Sequence, residues 1–181
     1  QVRHYRPMEY IVPSGGDIPC IGIEYWVVLA FRKQGDSDDV LRGNSAELFV
    51  QASHPIVGTM NGQTQGELNG QLLKEVGLGL LARHTIVHID ASAADNRIRR
   101  ELFASSREGF KEGPVLDSIT ASLRRMLEED EELAEIEKEL TERLAKRETA
   151  TTREEVRQQV TRLLKEAGMQ VSDVAKADIE G

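Results

Sequence analysis

Residues 53–110 read SHPIVGTMNGQTQGELNGQLLKEVGLGLLARHTIVHIDASAADNRIRRELFASSREGF, and the fold turns on how they are divided. A short apolar run, His54 to Met60, leads into a polar, glycine-punctuated segment, Asn61-Gly62-Gln63-Thr64-Gln65-Gly66. An apolar segment follows: Leu68, Leu72, Leu73, Val76, Leu80 and Leu81 stand at the spacing of one helix face, which predicts a helix over Glu67 to Arg83, weakened by Gly77 and Gly79. His84 to Asp90 then reads as a strand. The expected order is strand, loop, helix, strand, with several glycines and amides displaying donors in the loop. Any ligand is expected there.

Working outward, Ile21 to Arg32 is rich in β-branched and aromatic residues and predicts a buried strand. Residues 1–22 hold three of the five prolines and the Gly15-Gly16 pair, and predict an arm with one short strand near Tyr10 to Val12. Lys33 to Asn44 is a polar turn region, and Ala46 to Ala52 can start another strand. Asp95 stands at an N-cap position, with a helix over Asn96 to Phe110 turning Ile98, Leu102 and Phe103 inward. Its other side carries Arg97, Arg100 and Arg107, a face open to phosphate or an acidic partner, or simply solvated and paired with Glu101 and Glu108.

Beyond Gly113-Pro114, apolar residues from Leu116 to Leu144 recur at helical spacing, interrupted by the acidic run Glu128 to Glu132. They predict one long amphipathic helix, or two broken at that run. Thr152-x-x-Glu155 has the form of a capping box and predicts a further helix through Val156, Val160, Leu163 and Leu164, ended by Gly168. The expected architecture is therefore α/β (α+β): a mixed sheet with packed helices over residues 1–113, then a helical hairpin with a frayed tail over 114–181.

Composition narrows the function classes. The chain has 181 residues, 39% hydrophobic and 30% charged, enough for a core plus an appendage. The net charge of −8 is uneven: 12 Lys+Arg face 14 Asp+Glu in residues 1–113, and 11 face 17 in 114–181. So acidic a chain disfavours a nucleic-acid partner for this piece alone. The single cysteine, Cys20, excludes an internal disulfide, and no apolar run is long enough to span a bilayer. A cytoplasmic protein with no membrane partner is expected. The chain begins Gln-Val-Arg-His with no methionine, which predicts a piece cut from a longer protein or a processed form.

Motifs of familiar chemistry are sparse. Gly77-x-Gly79-x-x-Ala82 is not a dinucleotide fingerprint, because it precedes a strand where the fingerprint must follow one. No Gly-x-Ser-x-Gly elbow frames a serine. His84, His88 and Asp90 alternate onto one side of a strand, but positions four apart are too distant to share one zinc, and no metal site is predicted. A small enzyme using Asp90 and His88 is a minor alternative that lacks a partner constellation.

One resemblance gives these segments a common meaning. Asn61-Gly62-Gln63 after a strand, a strand ending Asp90-Ala-Ser92, and Glu-Leu-Phe-x-Ser-Ser-Arg from Glu101 to Arg107 together resemble the transducer region downstream of the ATPase domain in gyrase B, histidine kinase, heat-shock chaperone and mismatch-repair (GHKL) proteins. The resemblance covers about a third of the chain. It implies a non-catalytic α/β region of a larger, bacterial ATP-dependent protein that relays nucleotide state. ATP and magnesium would be held by an ATPase domain upstream in the same chain. It also implies a nucleotide-sensing loop at Asn61, Gly62, Gln63, Thr64 and Gln65, similar to a Gln-Thr-Lys loop that reaches the γ-phosphate. Gln65 stands where that loop has lysine, leaving Gln63 and Gln65 as amide donors. The helical hairpin would then be a lever or a homodimer surface over 115–167. The alternative is a free-standing scaffold or oligomerisation domain that binds no nucleotide.

Overall fold

The computed structural model describes residues 1–29, 44–51, 53–104 and 109–166. They fall into two compact units, Gln1–Leu140 and Thr141–Gly181. The first is a mixed α/β unit around a five-stranded sheet of order β1-β2-β5-β3-β4. Its strands are β1 (Val2–Ile11), β2 (Ile21–Val28), β3 (Ile56–Met60), β4 (Gln63–Leu68) and β5 (Thr85–Asp90). All neighbours pair antiparallel except β3 and β5, which run parallel.

The apolar, β-branched run of β2 makes the centre. Ile21, Ile23, Tyr25 and Val27 alternate onto one face and are fully buried, while Glu24 and Trp26 take the other. In β5, Thr85, Val87 and Ile89 share the buried face, and Ile86, His88 and Asp90 the half-exposed one. The buried face is covered by helices. Residues 114–128 (α3, Pro114–Glu128) bury Val115, Leu116, Ile119, Leu123, Met126 and Leu127, and the first turns of α4 (Glu131–Glu166) bury Leu133, Ile136 and Leu140. Each such side chain contributes roughly 1.5–3 kcal/mol by leaving water. The division expected at residue 113 therefore moves to Leu140: the apolar face assigned to a hairpin is the lid of the sheet.

Asp130 fixes where that lid turns. It sits between α3 and α4 and caps α4, its Oδ1 accepting the Leu133 amide at 3.1 Å. Its Oδ2 accepts the Tyr25 hydroxyl at 2.6 Å and lies 2.8 Å from His4 Nε2. The other ring nitrogen of His4 lies 3.2 Å from Glu132. One carboxylate thus joins β1, β2 and the helix start. Burial, followed by the bond to Asp130, pushes the Tyr25 phenol far above its ordinary range. Farther along α4, Glu137 accepts the Leu80 and Leu81 amides at 2.9 and 2.8 Å.

Several expectations are corrected. The arm of residues 1–22 is largely strand: β1 spans ten residues along the sheet edge, with a register shift between Arg6 and Glu9 that spans Pro7. An edge position with a bulge tolerates a proline that a central strand would not, so the proline hid the strand. The loop and long helix of residues 61–83 are instead a hairpin, β3 to β4, followed by the short α1 (Gln71–Glu75) and a 3-10 turn at Leu81–Arg83. Gly77, at φ +91°, ends the helical path. Residues Ala46–Leu48 form a 3-10 turn where a strand was expected, and Ser45 just before it is held by His84 through a 2.9 Å contact. Residues 30–32 of the expected strand and nearly all of the 33–44 turn lie outside the described residues.

The helix expected to reach Phe110 stops early: α2 spans Asn96–Leu102, and Phe103 is already extended and bridged to Phe110. Asp95 does cap it, accepting the Ile98 amide at 2.8 Å. The break at the acidic run is present, between Glu128 and Glu131, and α4 then runs unbroken to Glu166. Thr152 does not open a helix. Its hydroxyl bonds back to the Glu148 carbonyl at 2.8 Å inside a continuous α4. The second unit is represented by Thr141–Glu166 of that helix, with Val156, Val160 and Leu163 exposed. Gly168 lies outside the described residues.

Candidate functional site

The segment that resembles a sensing loop is the tip and return strand of a hairpin. Asn61 and Gly62 take φ of 52° and 74°, the pair of left-handed residues that a two-residue hairpin turn demands. Gln63 and Thr64 follow on β4 with exposed side chains, whereas Gln65 is only 4% exposed. Of the two amides expected to face a ligand, Gln63 points to solvent and Gln65 is turned into the fold.

The tip is tied to the end of β5. The Asn61 amide donates to Ser92 Oγ at 2.8 Å, and that hydroxyl donates to Asp90 at 2.5 Å. Asp90 also accepts the Ser92 amide at 3.0 Å, so Asp90-Ala-Ser92 is a side-chain-closed turn. Arg99 of α2 donates to the Ser92 carbonyl at 2.6 Å. Hairpin tip, strand end and helix α2 therefore share one hydrogen-bonded junction. At the other end of the hairpin, Gly58 and Gly66 face each other across β3 and β4, and the Phe110 ring fills the space their missing side chains leave.

Arg97 and Arg100 line a shallow cleft of about 510 Å³ with Asp95, Asn96 and Glu101. Arg97 is already engaged by the Gly15 carbonyl and by Glu101 at 3.3 Å, which is the local pairing expected of a solvated face. Arg107 lies outside the described residues. The backbone amide of Ile98, first of several favourable contacts, holds the Asp95 carboxyl below its ordinary value.

His84, His88 and Asp90 do not meet. His84 precedes β5, is buried against Ser45, and is pushed below its ordinary pKa by burial and then by Arg83. Asp90 is held by Ser92. His88 belongs to a different group, one invisible in the sequence. Its Nδ1 lies 2.8 Å from Glu24 Oε1 and its Nε2 2.8 Å from Thr59 Oγ1. Glu24 Oε2 accepts the Tyr5 hydroxyl at 2.8 Å. Trp26 stacks between the rings of Tyr5 and His88, at 5.5 and 6.4 Å. Four strands contribute to this row, and the only trace of it in the sequence is a glutamate inside the apolar run of β2.

Among the described residues, no helix is long and apolar enough to cross a membrane, and no three His, Cys, Asp or Glu side chains converge as a metal site. Cys20 is buried, and its thiol is raised by that burial and then by Asp95. Comparison with protein-family models, curated proteins and solved structures finds no match.

Proposed function

We propose that this chain is the transducer region of a larger ATP-dependent protein of the GHKL type, relaying nucleotide state and performing no nucleotide chemistry itself. The observation that carries this reading is the junction at Ser92, where the tip of the β3–β4 hairpin, the end of β5 and α2 are joined by hydrogen bonds. A displacement of the tip by a ligand would load β5 and α2 together, at the modest cost of moving an exposed turn. In this reading an ATPase domain upstream in the same chain binds ATP and Mg²⁺ in the cytoplasm, and Gln63 is the amide that reaches the terminal phosphate. Asn61, Gly62 and Thr64 shape the tip, while Arg97 and Arg100 form a lesser face toward an acidic partner.

The alternative, a scaffold that oligomerises through 115–167, has lost most of its apolar surface to the sheet. Among the described residues of its second half, Val156, Val160 and Leu163 remain as an exposed stripe at helical spacing. Substituting Gln63 by alanine in the full-length protein is expected to lower ATP turnover roughly tenfold, the loss of one charge-assisted hydrogen bond to phosphate. Steady-state hydrolysis measures it. Unchanged turnover in a folded variant would remove Gln63 from the mechanism.

A further inference from the structure

We propose that Thr59, His88 and Glu24 form an acyl-transfer site, with Thr59 Oγ1 as the nucleophile for activated esters or thioesters of small neutral acids. This goes beyond the transducer reading and does not depend on it. The three groups make a continuous carboxylate, imidazole and hydroxyl relay, with both contacts at 2.8 Å. That is the order and spacing by which a base activates an alcohol and is itself oriented by an acid. With Glu24 Oε1 accepting from Nδ1–H, His88 Nε2 keeps its lone pair toward the Thr59 hydroxyl.

The relay is held on all sides and remains partly accessible. The Tyr5 hydroxyl occupies the second oxygen of Glu24, and Trp26 packs against the His88 ring. The His88 side chain is 27% exposed and that of Glu24 13%. Glu24 and His88 are cross-strand partners on β2 and β5, and Thr59 reaches His88 from the adjacent β3. Glu24 and His88 stand in unbroken register on β2 and β5, and Thr59 follows a register shift of β3 against β4 after Gly58; strands position side chains more tightly than loops do.

A place for an acyl chain is offered by the strand neighbours of the relay. An open cleft of about 400 Å³ is lined by Leu48, Phe49, Val50, Val57, Thr64 and Glu67. Two of its walls are direct sheet neighbours of the relay, since Val57 pairs with His88 and Thr64 with Thr59. Leu48 and Phe49 are about two-thirds exposed, at 67% and 65%, and offer apolar contact. The ionisable side chains on the cleft wall are Glu47 and Glu67, which disfavours an anionic acyl group.

The chemistry balances without a cofactor. Thr59 gives its proton to His88 Nε2 as Oγ1 adds to the acyl carbonyl carbon. Collapse of the tetrahedral adduct breaks the C–O or C–S bond, and the leaving group takes the proton from His88. Acyl-Thr59 remains, and water repeats the sequence to release the acid. Glu24 is a positioning residue, holding the imidazole and its transient positive charge.

The test is incubation of the 181-residue chain, without nucleotide, with p-nitrophenyl butyrate, following p-nitrophenolate release and mapping the modified peptide by mass spectrometry. One butyryl group on Thr59 is expected. Thr59→Val and His88→Gln should each reduce its formation at least ~100-fold, the lower end of a general base's contribution. Thr59→Ser should retain it. Glu24→Gln should lower the acylation rate constant without altering the ester concentration needed for saturation, a split that a purely structural role would not give. Butyrylation confined to lysines or the terminal amine, or undiminished in Thr59→Val, overturns the proposal. Should Thr59→Val fail to fold, the map of the unsubstituted chain decides alone. ATP is absent throughout, so the outcome is separate from that of the transducer reading.

Discussion

Replacing Asp130 by alanine is expected to lower the unfolding free energy by about 3 kcal/mol, among the largest effects of any single polar substitution in this chain. The change removes the cap of α4 and strands the Tyr25 hydroxyl and His4, both of which use the same carboxylate. Tyr25 is fully buried; its hydroxyl would retain only the longer 3.3 Å contact to the Met126 carbonyl. Urea denaturation followed by circular dichroism measures the loss, and a cost below about 1 kcal/mol, no more than a cap alone is worth, would show that Asp130 is not the hinge of the helical lid. The effect carries a pH signature. Burial raises the Asp130 carboxyl, but the bonds from Tyr25, His4 and the Leu133 amide together outweigh it and leave the carboxyl below its ordinary value. A carboxyl depressed in the folded state stabilises fully above the unfolded value of about 3.9 and ceases to as pH falls through the folded one. The gap between Asp130→Ala and the parent should therefore narrow below about pH 4.

Gly58→Val is expected to be comparably damaging for the opposite reason, excess volume where the fold leaves none. A Cβ at Gly58 would overlap the Phe110 ring and come within 3.1 Å of Phe103, and a Cβ at Gly66 across the pair would meet the backbone of Gly109 and Phe110 at 2.9 Å. The two phenylalanine rings are themselves packed at 5.3 Å. The atoms it would overlap belong to two rings packed against each other, which leaves little room for either to move aside, and a loss of about 3 kcal/mol or more follows. Trimming the ring should restore part of it: Phe110→Ala combined with Gly58→Val is expected to cost less than the sum of the two separate changes. Additive thermal shifts would place the Phe110 ring somewhere other than over Gly58.

The unequal legibility of the sequence has physical causes. Strands β2 and β5 were readable because β-branched and aromatic runs buried by neighbours on both sides carry their own signal. The Asp95 cap was readable because it depends on residues three apart. β1 was not, since an edge strand needs no continuous apolar pattern and tolerates Pro7. The leucines of residues 68–81 imitate a helix although Leu68 belongs to β4 and Leu81 to a 3-10 turn; the hairpin at Asn61-Gly62 was spelled out, but the amide-rich strand after it reads as loop. In the helical part, periodicity identifies the apolar face but not what it covers, so from sequence the lid of the sheet looks like a separate hairpin. The candidate sites divide the same way. Asn61 to Gln65 could be located, but only strand register separates exposed Gln63 from buried Gln65. The relay of Glu24, His88 and Thr59 spans residues 35 and 29 positions apart or more and exists only once three strands lie side by side.

Hydrogen exchange at the β3–β4 hairpin of the full-length protein, with and without a non-hydrolysable ATP analogue and Mg²⁺, tests the transducer reading most directly. Protection of the amides of residues 61–68 should rise on nucleotide binding, and the change should extend through Ser92 to α2, because the Asn61 amide and Arg99 meet at Ser92. A hairpin whose exchange is the same in both states, in a protein shown to bind the analogue, would contradict the reading and leave Asn61-Gly62 as a turn that only reverses the chain.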